Sequence, residues 1–152
     1  MNLGDANPVA LAASPLQAQL TFARDANGAT YVDRQRVGYP FHVGRRLSMP
    51  GDPPGMPTIY LQSCSGGIFE GDDLGLRIEA GENSAAHVST GAATVVHSME
   101  TEAASQRTHV ELRAGAYFEY LPDPLILFPR ARLATAMRVV VHPGAVAIFG
   151  DA

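Results

Sequence analysis

From Leu16 onward, apolar and polar side chains alternate one for one, and a period of two commits a chain to extended strands rather than helices. Leu16-Gln17-Ala18-Gln19-Leu20-Thr21-Phe22 is the clearest such run, a half-buried strand. Asp25-Ala26-Asn27-Gly28 follows as a hairpin-type turn whose Asn-Gly tolerates positive φ, and Thr30 to Val37 returns as a second strand. The segment from Ser48 to Pro57 carries Pro50, Pro53, Pro54 and Pro57, each lacking an amide donor, so no strand ladder runs through it. Thr58 to Gln62 is nearly continuous in apolar and β-favouring residues, the pattern of a strand buried on both faces.

The second half repeats one shape. Leu76 to Glu82, Val110 to Ala116 and Val139 to Ala145 each read as strand, short step and glycine turn, with Gly81, Gly115 and Gly144 lying 34 and 29 residues apart. That spacing suits supersecondary units that stack on one another, and a plain meander with glycine turns is the alternative. Ala92 to Ala104 alone lacks alternation, and a short helix is expected around Met99 to Ser105. Residues 1–15, small and polar with Pro8 and Pro15, read as a flexible lead-in, and 16–152 as one all-β domain.

Composition removes several classes of function. The 11 basic residues are all arginine, so no Schiff-base lysine and no nucleotide-binding P-loop lysine exists in this chain. Net charge is −4, and Arg45-Arg46 with Arg130 and Arg132 are too sparse to track phosphates, which argues against nucleic acid. A single cysteine, Cys64, excludes an intrachain disulfide framework and fits a reducing compartment. The first residues lack a basic stretch, Val9 to Ala13 is too short for a signal peptide, and no apolar run reaches membrane-spanning length. A cytoplasmic protein without a membrane partner is expected.

The chemistry-bearing candidates are few. In Gln62-Ser63-Cys64-Ser65-Gly66-Gly67-Ile68-Phe69-Glu70-Gly71-Asp72-Asp73, the glycines let the chain reverse while Ile68 and Phe69 plug inward. On the residues alone a glycine-held β-arch is the favoured reading. The alternative is an acidic rim of Glu70, Asp72 and Asp73 that touches a hard or borderline cation. Cys64 has no neighbour that would lower a thiol pKa, and Ser65 lacks the first glycine of a nucleophile elbow. The five histidines form no close ligand pair. His97 stands out because Met99 and Glu100 follow it, an imidazole, a thioether and a carboxylate that could hold nickel weakly. A cupin-type metal barrel fails on its ligands, since Ser89 stands where a second histidine is needed after His87.

Taken in order, Ser65 to Asp72, Ser89 to Ser98, Glu119 to Phe128 and the closing Arg138 to Asp151 resemble the blocks of the UreD (UreH) urease accessory family. The resemblance spans residues 58–151 and departs at Val95-Val96-His97-Ser98, where the family usually carries a lysine and an aromatic. It implies an irregular, β-helix-like stack of antiparallel strands with glycine turns at Gly66, Gly67, Gly71 and Gly91, and at most one or two short helices. It implies a non-catalytic scaffold that binds the urease apoprotein and UreF, meets UreG through UreF, and passes nickel(II) in transit with no tightly bound cofactor. Asp72, His97 and Glu70 are the expected weak, transient nickel contacts. The family continues for about as many residues again, so this chain is expected to correspond to its N-terminal half. A small β-barrel metalloenzyme and a metal-independent β interaction module are the competing readings.

Overall fold

The computed structural model describes residues 15–150, so nearly all of the expected lead-in lies outside the described residues. In chain order the strands are β1 (Ala18–Arg24), β2 (Thr30–Val37), β3 (Phe41–Val43), β4 (Thr58–Ser63), β5 (Asp73–Ala80) and β6 (Ala85–Ser89). They continue with β7 (Thr94–Val96), β8 (Ala104–Leu112), β9 (Tyr117–Tyr120), β10 (Leu125–Leu127), β11 (Leu133–Val141) and β12 (Val146–Phe149). The protein is all-β, and no helix forms among the described residues. The helix expected around Met99 to Ser105 is replaced by an irregular crossing that ends where β8 begins. Met99 is buried in a small core with Ile68, Leu74, Val96 and Ala104, and the Ala104 amide donates to the Arg132 carbonyl at 2.9 Å. Those two anchors fix an extended path that a helical turn would break.

Three sheets result, with orders β11-β8-β5-β1-β2, β12-β9-β6-β4-β3 and β10-β7. The expectation of antiparallel stacking is corrected here. Only β1/β2 and β3/β4 pair antiparallel; β5/β8, β8/β11, β4/β6, β6/β9, β9/β12, β7/β10 and β1/β5 are parallel. The reason lies in the repeat: each unit carries the chain once around three sides, so every strand meets its successor running the same way.

Interior columns show the stacking directly. Leu20, Ile78, Val110 and Val139 stand side by side across the first sheet, and Phe22, Ala80 and Leu112 form the next column, which ends on the exposed Val141. Leu20, Ile78, Val110 and Leu112 are fully buried, and each such aliphatic side chain contributes roughly 1.5–3 kcal/mol by leaving water. Phe118 lies in the same core, its ring 6.4 Å from both Phe22 and Phe149. The outward positions carry charge instead, as in the column Arg77–His109–Arg138 and in Glu79 beside Glu111.

The corner between the first and second sheets is made three times in one geometry. Ser84, Ala116 and Ala145 donate their amides to Gly81, Arg113 and His142, each at 3.1 Å. The third residue of each turn has positive φ: Asn83 at 54°, Gly115 at 68° and Gly144 at 74°. The repeat is therefore real but phased differently from its glycines. Asn83, not Gly81, is the counterpart of Gly115, because asparagine tolerates the left-handed region and can replace glycine there.

Candidate functional site

The loop from Gly66 to Asp73 forms the corner of the first coil, and its geometry explains its glycines. Gly66, Gly67, Gly71 and Gly91 all take positive φ. A side chain on Gly67 would strike the Val95 carbonyl, and one on Gly91 would meet the Tyr60 ring at 3.0 Å. Ile68 is buried and bridges to Val96, its amide donating to the Val95 carbonyl at 2.8 Å.

Each acid of the loop has its own partner. Asp72 Oδ2 accepts the Phe69 amide at 2.8 Å and so closes its own turn. Glu70 Oε1 accepts the Thr101 hydroxyl at 2.7 Å, the Glu102 amide at 2.6 Å and the Thr101 amide. The Thr101 hydroxyl, then the amides of Glu102 and Thr101, lower the Glu70 carboxyl to about 2. Asp73 accepts the Ser105 hydroxyl at 2.5 Å and pairs with Arg107; the Ser105 bond, assisted by Arg107 and opposed by burial, holds its carboxyl below the ordinary value.

His97 stacks on Phe69 with ring centroids 4.2 Å apart and a 9° interplanar angle, and its Nε2 lies 3.2 Å from the Gly66 carbonyl. Phe128 meets the same imidazole edge-on at 5.4 Å. Met99, considered with His97 as a ligand, turns instead into the small core. Among the described residues no three His, Cys, Asp or Glu side chains converge as a metal site. Glu70, Asp72 and His97 thus sit on one corner, each satisfied separately; Glu70 and His97 staple the first coil to the next, while Asp72 holds its own turn.

A second feature is invisible in the linear sequence. The three sheets border a partly open cavity of about 350 Å³ that runs from Phe41 and Leu61 at one end to Met137 and Phe149 at the other. Its wall is largely apolar, but Thr90, Thr94, Gln106, Thr108, Asp123 and Thr135 also line it. Asp123 is fixed by its neighbours: Oδ2 accepts Thr90 Oγ1 at 3.0 Å and Ser89 Oγ at 3.3 Å, and its amide donates to Thr90 Oγ1 at 2.8 Å. Burial pushes the Tyr120 hydroxyl above its ordinary value, with the Thr108 hydrogen bond acting in the opposite sense. The signal available in the sequence was small. Gln106 and Thr108 occupy inward positions between Ala104 and Val110, an interruption of the apolar face of β8 that a surface strand would also tolerate.

The family model described as UreD urease accessory protein matches residues 15–152. The chain is 52% identical over 135 residues to "Urease accessory protein UreD 1" of Pseudomonas syringae pv. syringae (strain B728a), covering 89% of this chain and 47% of that protein. It is 45% identical over 136 residues to "Urease accessory protein UreD 1" of Methylorubrum extorquens (strain PA1), covering 90% and 46%. It is 36% identical over 134 residues to "Urease accessory protein UreD" of Haloarcula marismortui, covering 88% and 44%. The chain spans about half the length of the curated relatives it matches. A match across nearly the whole chain, at these identities, means that it belongs to the UreD urease accessory protein family.

Proposed function

We propose that the protein serves urease maturation as a scaffold, holding the urease apoprotein and UreF, meeting UreG through UreF, and giving nickel(II) an interior path toward the enzyme. Nickel is cargo here, and the role needs no reaction at a bound group. Membership of the family supports the maturation role. The observation that carries the ionic path is the cavity, because it crosses every coil of the stack and has oxygen donors on an otherwise apolar wall. A path of that kind needs weak contacts, since a closed set of strong ligands would retain the ion.

The exposed apolar side chains Ile126, Leu127, Phe128 and Ile148 support the scaffold part, for apolar surface of this kind marks protein contacts on soluble domains. Among the described residues no helix is long and apolar enough to cross a membrane, and action in the cytoplasm is part of this proposal.

The test is complementation. A urease-producing strain lacking its own UreD gene, given the gene that carries this chain, is expected to regain urease activity and enzyme-bound nickel. UreF and apo-urease are expected to co-purify with the product. Apo-urease that stays metal-free in the complemented strain defeats the proposal.

A further inference from the structure

One outward row crosses the whole first sheet. Arg138, His109, Arg77, Gln19 and Arg36 stand abreast on β11, β8, β5, β1 and β2, one residue from each strand. The three arginines are exposed, with His109 and Gln19 half-buried between them. Among the described residues Arg36, Arg77 and Arg138 form no salt bridge. The acids that flank the row on β5 and β8 are already engaged. Glu79 and Glu111, one row along, pair with Arg113 at 3.1 and 2.9 Å, and Glu111 also meets His142 at 3.1 Å. Asp73, two rows to the other side, pairs with Arg107.

Burial, and then the charges of Arg77 and Arg138, hold the His109 imidazole below its ordinary value, with Glu111 acting in the opposite sense. The two arginines therefore feel one field, and the ring between them does not add to it at neutral pH. Like charges left unpaired in line, on a chain of net charge −4, favour an anionic partner at that line and nowhere broader.

The spacing narrows the partner further. Neighbouring strands lie about 4.8 Å apart, so the arginines recur every roughly 10 Å along a row of roughly 20 Å. An α-helix returns its seventh residue to the same face after about 10.5 Å. An extended segment does not match, because its residue about 10 Å on is the third and faces the other way. A wide anionic surface such as a duplex or a bilayer would also meet the Glu79 and Glu111 row beside the arginines.

We infer that this row is a docking surface for a helix of a partner protein with carboxylates at seven-residue spacing, laid across the strands with its acids on Arg36, Arg77 and Arg138. Arginine suits the task because its guanidinium can grip a carboxylate through two parallel hydrogen bonds. The inference rests on the scaffold role proposed above and names one contact surface for it, on the outer face of the first sheet.

The probe is a helical peptide of about 25 residues with glutamate at every seventh position, titrated into the full chain while the arginine side-chain N–H resonances are followed. Shifts are expected at Arg36, Arg77 and Arg138, fading as salt rises from roughly 0.05 to 0.5 M and absent with glutamine in place of glutamate. The triple variant Arg36→Gln, Arg77→Gln, Arg138→Gln is expected to bind about tenfold more weakly or worse, at about 2–5-fold per exposed pair, with an unchanged melting temperature. Arg45→Gln with Arg46→Gln, which removes charge elsewhere, is expected to leave binding as it was. Equal binding by the triple variant, equal loss in the Arg45 and Arg46 variant, or tighter binding of duplex DNA or phosphatidylglycerol vesicles through the same arginines overturns the inference. Should the triple variant fail to fold, the glutamine peptide and the salt series on the unaltered chain decide. In the complemented strain, a triple variant that retains UreF and apo-urease as well as the unaltered protein does overturns this surface and leaves the maturation role standing. Failed complementation by unaltered protein whose arginine row binds the peptide does the reverse.

Discussion

Asn83 and Gly115 hold the same corner of consecutive coils. Both take positive φ, the Asn83 amide donates to the Ala114 carbonyl at 3.0 Å, and the Asn83 side-chain oxygen covers the space a Gly115 Cβ would need. Gly144 repeats the turn one coil later with only Gly115 backbone nearby, at 3.8 Å. The three corners therefore share one backbone shape but differ in crowding.

That difference gives a graded prediction. Gly144→Ala carries only the strain of an L-residue in the left-handed region, about 1–2 kcal/mol. Gly115→Ala carries the same strain and must also swing the Asn83 amide aside, so it is expected to lose about 1 kcal/mol more. Urea unfolding of the two variants checks the order; equal losses would mean that the Asn83 amide moves freely.

Glu70 makes the corner sensitive to acid. Its carboxyl is held at about 2 against an ordinary 4.5, chiefly by the Thr101 hydroxyl. A depressed carboxyl contributes stability that is complete above its unfolded value and is lost as pH falls through the folded one. The unaltered protein is therefore expected to lose stability between those two values more steeply than Glu70→Gln. Asp73 and Glu119, also lowered, act in both proteins and cancel in the comparison. Melting temperatures across this range provide the measurement, and parallel curves would remove Glu70 from the anchor.

Phe118 is fully buried between Phe22 and Phe149, at the meeting of two sheets. Phe118→Ala is expected to cost about 3–5 kcal/mol, a large share of the roughly 5–15 kcal/mol typical of a folded domain. A melting temperature lower by roughly 6–20 °C is the expected result, and one within a few degrees of the unaltered protein would contradict the packing.

For the loop acids the prediction concerns function. If the corner also touches nickel in transit, Asp72→Ala or His97→Ala lowers the nickel content of urease in the complemented strain while the protein remains folded. The geometry separates the two: Asp72 closes its own turn, whereas His97 sits between Phe69 and Phe128. Metal analysis of purified urease, alongside the melting curve of each variant, checks this. Unchanged nickel with both variants assigns the corner to structure alone.

Much of the fold was legible because alternation is a local signal. The strand Thr30–Val37 lies where the alternation placed it, and the Asp25 turn closes with its carboxylate accepting the amides of Asn27 and Ala29, each at 2.9 Å. The direction of pairing was not legible. Nothing within Leu76 to Ala80 says whether its partner lies in the next strand or one coil away, since each strand has the same inward and outward residues in either arrangement. The supposed helix failed for a related reason: without alternation the sequence is silent, and Met99 was fixed by a core assembled from distant segments.

What the sequence determined by itself was the extended character of the chain, its turns, its want of lysine chemistry and its family blocks, all carried by residue identity and near neighbours. Tertiary structure alone decided that the repeats run parallel, that Asn83 shares its corner with Gly115, that Glu70 and Asp72 have separate partners, and that Asp123 lines a cavity between the sheets. The physical reason is range. A strand's period is set between adjacent residues, whereas a cavity and its charge exist only once coils some thirty residues apart have closed around them.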